Sequence, residues 1–162
     1  MATRNSPAAK SANRELVITR IFDAPRELVF KVWIDPKHVA QWWGPYEFTN
    51  PVCELDVRPG GAILIHMQGP DGVVYPNKGV FREIVAPERL VFTSSAFEDA
   101  DGNPQLEVLN TVTFAEHEGG KTKLTLHATV VKATPEVAGP LSGMEAGWNQ
   151  SLDRLAQTLE KA

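Results

Sequence analysis

The chain has one cysteine, Cys53, in 162 residues, so no disulfide can close within it and the fold must hold by burial alone. A lone thiol suits a reducing compartment. Nowhere do about eighteen apolar residues run together, and no charged start is followed by an apolar core. No membrane span is therefore expected, and the expected compartment is cytoplasmic. Basic clusters are missing too. The 16 Lys and Arg against 20 Asp and Glu leave a formal charge of −4, the wrong balance for a phosphate backbone, so no nucleic-acid partner is expected.

Catalytic and metal motifs are equally scarce. His38, His66, His117 and His127 are scattered, with no His-x-x-x-His, Cys-x-x-Cys or Glu-x-x-His spacing, so neither a metal nor a cofactor is expected. There is no Gly-x-Ser-x-Gly elbow, phosphate loop or dinucleotide fingerprint to support hydrolysis at serine, phosphoryl transfer or hydride transfer. Cys53 has no basic neighbour to lower its pKa and reads as a buried, inert thiol.

What is present is 43% hydrophobic residues in regular patterns, enough for one core. Residues 1–14 lack periodicity and read as a disordered tail, leaving 15–162 as a single domain. Glu15 to Phe22 is β-rich. Asp23 and Pro25 then mark a helix start, with Leu28, Val29, Val32 and Trp33 as its apolar face. A second short helix, Pro36 to Trp42, stops at Gly44-Pro45. From Pro51 to Val131 apolar residues alternate between turns, the pattern of an antiparallel sheet of six further strands. In Lys121 to Val131 one parity (Leu124, Leu126, Ala128, Val130) is dry and the other (Lys123, Thr125, His127) wet, so one face of the sheet meets the helices. Pro76 marks a bend or bulge.

Thr134 to Lys161 reads as one long amphipathic helix. Leu141, Met144, Trp148, Leu152, Leu155 and Leu159 recur at steps of three or four. Thr134 can cap it, and Pro140 with Gly139, Gly143 and Gly147 weakens its first half, predicting a kink near Pro140.

The order strand, two helices, six strands, long helix carries a set of local markers. They are Phe22-Asp23-Ala24-Pro25, Trp42-Trp43-Gly44-Pro45, Asp56-Val57-Arg58-Pro59-Gly60-Gly61, Gly79-Val80-Phe81-Arg82-Glu83-Ile84 and Pro87-Glu88-Arg89-Leu90-Val91-Phe92-Thr93. In this order they resemble the bacterial proteins similar to the C-terminal domain of the activator of the 90-kDa heat-shock-protein ATPase, in the START-like (SRPBCC) helix-grip superfamily. The resemblance implies an α+β helix-grip fold: a curved antiparallel sheet wrapped around a long C-terminal helix, with a cavity between them.

That implied cavity directs the functional reading. The expected function is binding of a small hydrophobic ligand, as carrier or sensor. The alternatives are a cyclase- or aromatase-like enzyme and a chaperone-activator-like protein-binding domain. The expected cavity residues are Met144, Trp148, Phe81, Phe114 and Asn110, with Trp42 or Trp43 near the mouth and His66 as a further candidate. Asn110 falls on an apolar stripe, where an amide without a partner costs about 1–3 kcal/mol, so either a core partner or a ligand must satisfy it. Trp42 and Trp43 beside a Gly-Pro stop also fit a purely structural role. His66 shares a parity with Ala62 and Leu64, whereas Ile63, Ile65 and Met67 on the other parity are the better core candidates.

Overall fold

The structure, a computed structural model, describes residues 14–162. Of the expected tail, residues 1–13 lie outside the described residues. Arg14 already belongs to the fold, its carbonyl accepting from the Val130 N–H at 2.8 Å.

Strand β1 (Glu15–Phe22) leads into α1 (Arg26–Ile34) and α2 (Pro36–Trp42), followed by β2 (Thr49–Leu55), β3 (Ala62–Gln68), β4 (Val74–Val85), β5 (Arg89–Glu98), β6 (Pro104–His117) and β7 (Lys121–Ala133). A 3-10 turn (Pro135–Val137), the short α3 (Ala138–Ser142) and the long α4 (Met144–Lys161) complete the chain. The seven strands form one antiparallel sheet in the order β1-β7-β6-β5-β4-β3-β2, so β1 joins the sheet through the last strand rather than through its sequence neighbour. The fold is α+β, with helices on one face of the sheet, as the helix-grip expectation required.

The helix ends differ in detail from the sequence reading. The N-cap of α1 is Pro25, without a side-chain cap, so Asp23 does not cap it. Asp35 does cap α2, its carboxylate accepting from the Lys37 N–H at 3.0 Å. Thr134 caps nothing; its hydroxyl donates to Gln105 instead. The break in the C-terminal helix falls at Gly143 (φ −92°, ψ 2°), not at Pro140. Pro140 sits in the first turn of α3, where its missing N–H has no intrahelical acceptor to lose.

Two sheet details also shift. Pro76 pairs in regular register with His66, and the extra residue in β4 is Arg82, between Phe81 and Glu83. Gly79 is needed for proximity: a Cβ there would lie 1.9 Å from the Thr93 carbonyl oxygen. The dry face is as expected, with Leu124, Leu126, Ala128 and Val130 all fully buried.

Packing is uneven along α4. Leu152, Leu155 and Leu159 are buried with α1, α2 and the sheet in the main core, each contributing roughly 1.5–3 kcal/mol. A second, smaller cluster lies at the other end, where Leu141 of α3 meets Val108, Ala128 and Val130. Met144 and Trp148, between these clusters, are only half-buried.

Candidate functional site

The gap between the two clusters has a local cause. Gly143, at the N-cap of α4, and Gly147, in its first turn, line the gap and bring no side chain to fill the space. Opposite them the sheet offers Ser94, Ala96 and Asn77, all short. The result is an open-mouthed chamber of about 160 Å³ that shares Pro45, Met67, Asn77, Leu106, Met144 and Gly147 with an adjoining recess of about 380 Å³. The adjoining recess by itself lies within the 300–1,000 Å³ typical of ligand pockets.

Trp43 and Trp148 wall the chamber, their rings meeting edge to face at 5.4 Å. Trp148 also stacks on Trp33 at 6.0 Å, which ties the chamber wall to the core. The adjoining recess is lined by Phe48, Tyr75 and Phe97, with successive ring centroids 6.1 Å and 6.2 Å apart. Phe97 holds φ +60°, an uncommon conformation for a bulky residue. That backbone conformation is a local cost retained beside the opening.

One wall is held from behind by α4. The Arg154 guanidinium donates from Nη1 to the carbonyls of Trp43, Gly44 and Pro45 at 2.9–3.0 Å, and from Nη2 to Gln41 at 2.9 Å. Burial lowers its pKa from the usual arginine value. Ser151 accepts from the Gly44 N–H at 3.0 Å, and Gln150 from the Tyr46 N–H at 2.9 Å. Gly44 itself takes φ +96°, so glycine suits the sharp exit from α2. The Tyr46 hydroxyl donates to Asp153, and this bond holds the Asp153 carboxyl below its ordinary range, aided by Arg20 at 2.9 Å. The same bond raises the Tyr46 hydroxyl.

Of the residues read from sequence as cavity members, Trp43, Met144 and Trp148 line the chamber. Trp42 does not: it is fully buried, and its indole N–H donates to the Val32 carbonyl at 2.9 Å. Phe114 packs in the main core against Phe30 at 5.1 Å, four residues along β6 from Asn110 and toward the closed end. Phe81 lies opposite Phe92 in the core, beside a void of about 20 Å³ that has room for little more than one water. His66 alternates with the buried Ile65, so it points to the other face of the sheet, away from the chamber.

Asn110 is fully buried behind the chamber wall. Its amide N–H donates to the Ser94 hydroxyl oxygen at 3.1 Å and, at the long distance of 3.4 Å, to the Phe92 carbonyl, while its Oδ1 has no partner. A protein partner thus takes up part of its hydrogen-bonding capacity. Sequence reasoning missed Ser94, Ser151, Asn77 and Met67 as cavity residues. The parity of β3 did mark Met67 as inward-facing. Ser94 and Ser151 carry no such signal, because their roles depend on how far α4 stands off the sheet.

A third recess of about 430 Å³ lies near the C-terminal end of α4 between Gln41, Thr49, Arg154 and Lys161. Its wall is polar and its guanidinium is already committed to carbonyls, so the chamber beneath Met144 and Trp148 is the better candidate. Among the described residues no group of His, Cys, Asp and Glu is placed to hold a metal ion, and no helix is long and apolar enough to cross a membrane.

The family profile described as "Activator of Hsp90 ATPase homolog 1-like protein" matches residues 23–160. Among solved structures, one similar protein is from Arthrobacter aurescens: 25% identity, TM-score 0.77, covering 91% of this chain and 87% of that one. Another is from Chromobacterium violaceum, at 26% identity and TM-score 0.75, covering 90% and 97%. The AHSA1 protein of Silicibacter pomeroyi gives 25% identity and TM-score 0.71, covering 90% and 97%. No curated protein matches the chain in sequence.

Proposed function

The chain belongs to the family of Activator of Hsp90 ATPase homolog 1-like proteins, and from that premise and the half-filled grip of its sheet on α4 we propose that it binds a small hydrophobic ligand as a carrier or sensor. The observation that carries this reading is the continuous chamber and recess where glycines replace side chains on α4. A ligand that buried about 250 Å² of apolar surface there would gain roughly 6 kcal/mol before the costs of association. Trp43, Trp148, Met67 and Met144 supply the apolar contact surface.

A cyclase-like reaction needs acids and bases that converge on the substrate. Among the described residues the cavity wall carries one ionisable side chain, Tyr75, and no carboxylate or imidazole. Binding is therefore favoured over acid–base catalysis. A chaperone-activating role rests on the family's description alone.

The test is titration with N-phenyl-1-naphthylamine, an uncharged apolar probe, followed by tryptophan emission. Saturable one-to-one quenching is expected, and Gly147→Leu, which fills the chamber beside Pro45, should weaken it by about tenfold or more. Non-saturable quenching that a folded Gly147→Leu protein reproduces unchanged would reject the site.

A further inference from the structure

Three polar side chains of the chamber keep donor capacity that the protein does not use. Ser94 on β5 and Ser151 on α4 line the same chamber from opposite sides. Each hydroxyl oxygen already accepts one bond from protein, Ser94 from the Asn110 amide and Ser151 from the Gly44 N–H. Among the described residues neither hydroxyl proton has an acceptor. Asn77, diagonal to Ser94 across the β4–β5 ladder, adds an amide whose N–H groups reach only the Met67 thioether at 3.1 Å and the Tyr75 carbonyl at 3.4 Å. A thioether is a weak acceptor and the second contact is long, so this donor capacity is also largely unspent.

Charge is missing from the same wall. No Lys, Arg, His, Asp or Glu lines the chamber or the recess. The guanidiniums associated with α4 are engaged elsewhere, Arg154 by four carbonyls and Arg20 by Asp153 and Asn149. A carboxylate placed between Ser94 and Ser151 would give up part of its hydration with no cation on the wall to replace it. A neutral acceptor would instead complete the bonds of Ser94, Ser151 and Asn77 at little desolvation cost.

We propose that the chamber selects an uncharged ligand bearing a carbonyl-type acceptor (a ketone, quinone or ester) on a compact apolar or aromatic body, and rejects carboxylates such as fatty acids. The acceptor oxygen sits between Ser94 and Ser151, and the rings of Trp43 and Trp148 cover the body. This inference rests on the ligand-binding reading above and narrows it to one ligand class.

Equilibrium dialysis with three probes of one skeleton tests it: 2-acetylnaphthalene, 2-ethylnaphthalene and 2-naphthoate. The ketone should bind about tenfold tighter than the hydrocarbon, the scale of one to two neutral hydrogen bonds. The carboxylate should bind at least about a hundredfold more weakly than the ketone. Ser94→Ala should bring the ketone-to-hydrocarbon ratio toward one, and Ser94→Thr, which keeps the hydroxyl, should restore the preference. Hydrocarbon binding with no ketone preference, or naphthoate binding as tightly as the ketone, overturns the ligand class while leaving the cavity reading intact. Failure of all three probes overturns both. The wild-type ratios decide the matter even if Ser94→Ala does not fold.

Discussion

Arg154 is the residue whose removal tests the architecture most directly, because it joins α4 to the wall of the chamber. Its Nη1 meets three carbonyls but carries two hydrogens, so about two full charge-assisted bonds are present there. The Nη2 bond to Gln41 is exposed and exchanges with water at little cost. At about 1.5–2 kcal/mol for each of the two partly buried bonds, Arg154→Leu should cost about 3–4 kcal/mol, since it leaves the Trp43, Gly44 and Pro45 carbonyls without a donor. With a urea slope of about 2 kcal/mol per molar, the midpoint of unfolding should fall by about 1.5–2 M. Arg154→Lys should recover part of this, because one ammonium cannot span carbonyls held along a fork. Probe binding should weaken as well, as the Trp43 wall loosens. Leu155→Ala, destabilising to a similar extent from the closed end of the core, should leave binding nearly unchanged. A midpoint shift below about 0.3 M for Arg154→Leu would refute the argument that this guanidinium holds the wall.

Trp148→Ala should cost about 2 kcal/mol, because its ring is half-buried and keeps two ring contacts, whereas Leu155→Ala should cost about 3–4 kcal/mol; equal midpoints would remove the distinction between chamber and core. Gly147→Ala should stabilise α4 by about 0.5–1 kcal/mol, since its Cβ would meet only Pro45 at 3.9 Å, while narrowing the chamber and weakening the probe; destabilisation would show that the glycine is needed for the helix itself. Burial, with Glu54 beside it, pushes the Cys53 thiol up to about 11. In the unfolded chain it ionises near 8.5, so from about pH 8.5 to 11 the unfolded state releases a proton that the folded state keeps, and stability falls as pH rises. The stability difference between wild type and Cys53→Ala should shrink across that window, and a flat difference would contradict the burial. We propose that residues 15–162 form the single domain; deleting residues 1–13 should then move the melting temperature by no more than about 2 °C, and a drop of ten degrees or so would show that they pack.

Most of the elements and the faces they bury are written in local sequence periodicity. Alternation in Lys121 to Val131 separated a dry parity from a wet one, and the three-four spacing of Leu152, Leu155 and Leu159 marked the stripe that the sheet grips. Both are local periodicities, written at the pitch of the element that carries them. The glycines of the C-terminal helix were also visible, and two of them, Gly143 and Gly147, stand at the cavity. Their consequence was not visible, because a missing side chain leaves a cavity only if the facing strand does not fill it.

That condition belongs to the tertiary structure. Phe81 and Phe114 share the inward parity of their strands with the residues behind the chamber, but each sits further along its strand, under the packed half of α4. Parity fixes a face and says nothing about position along it. Trp42 and Trp43 are adjacent in sequence, yet the turn at Gly44 and the grip of Arg154 send one into the core and the other to the chamber wall. Ser94 and Ser151 are 57 positions apart and become two sides of one site only when the sheet closes on the helix. The stand-off between sheet and helix is a sum over many side-chain volumes, and no single stretch of the chain encodes it.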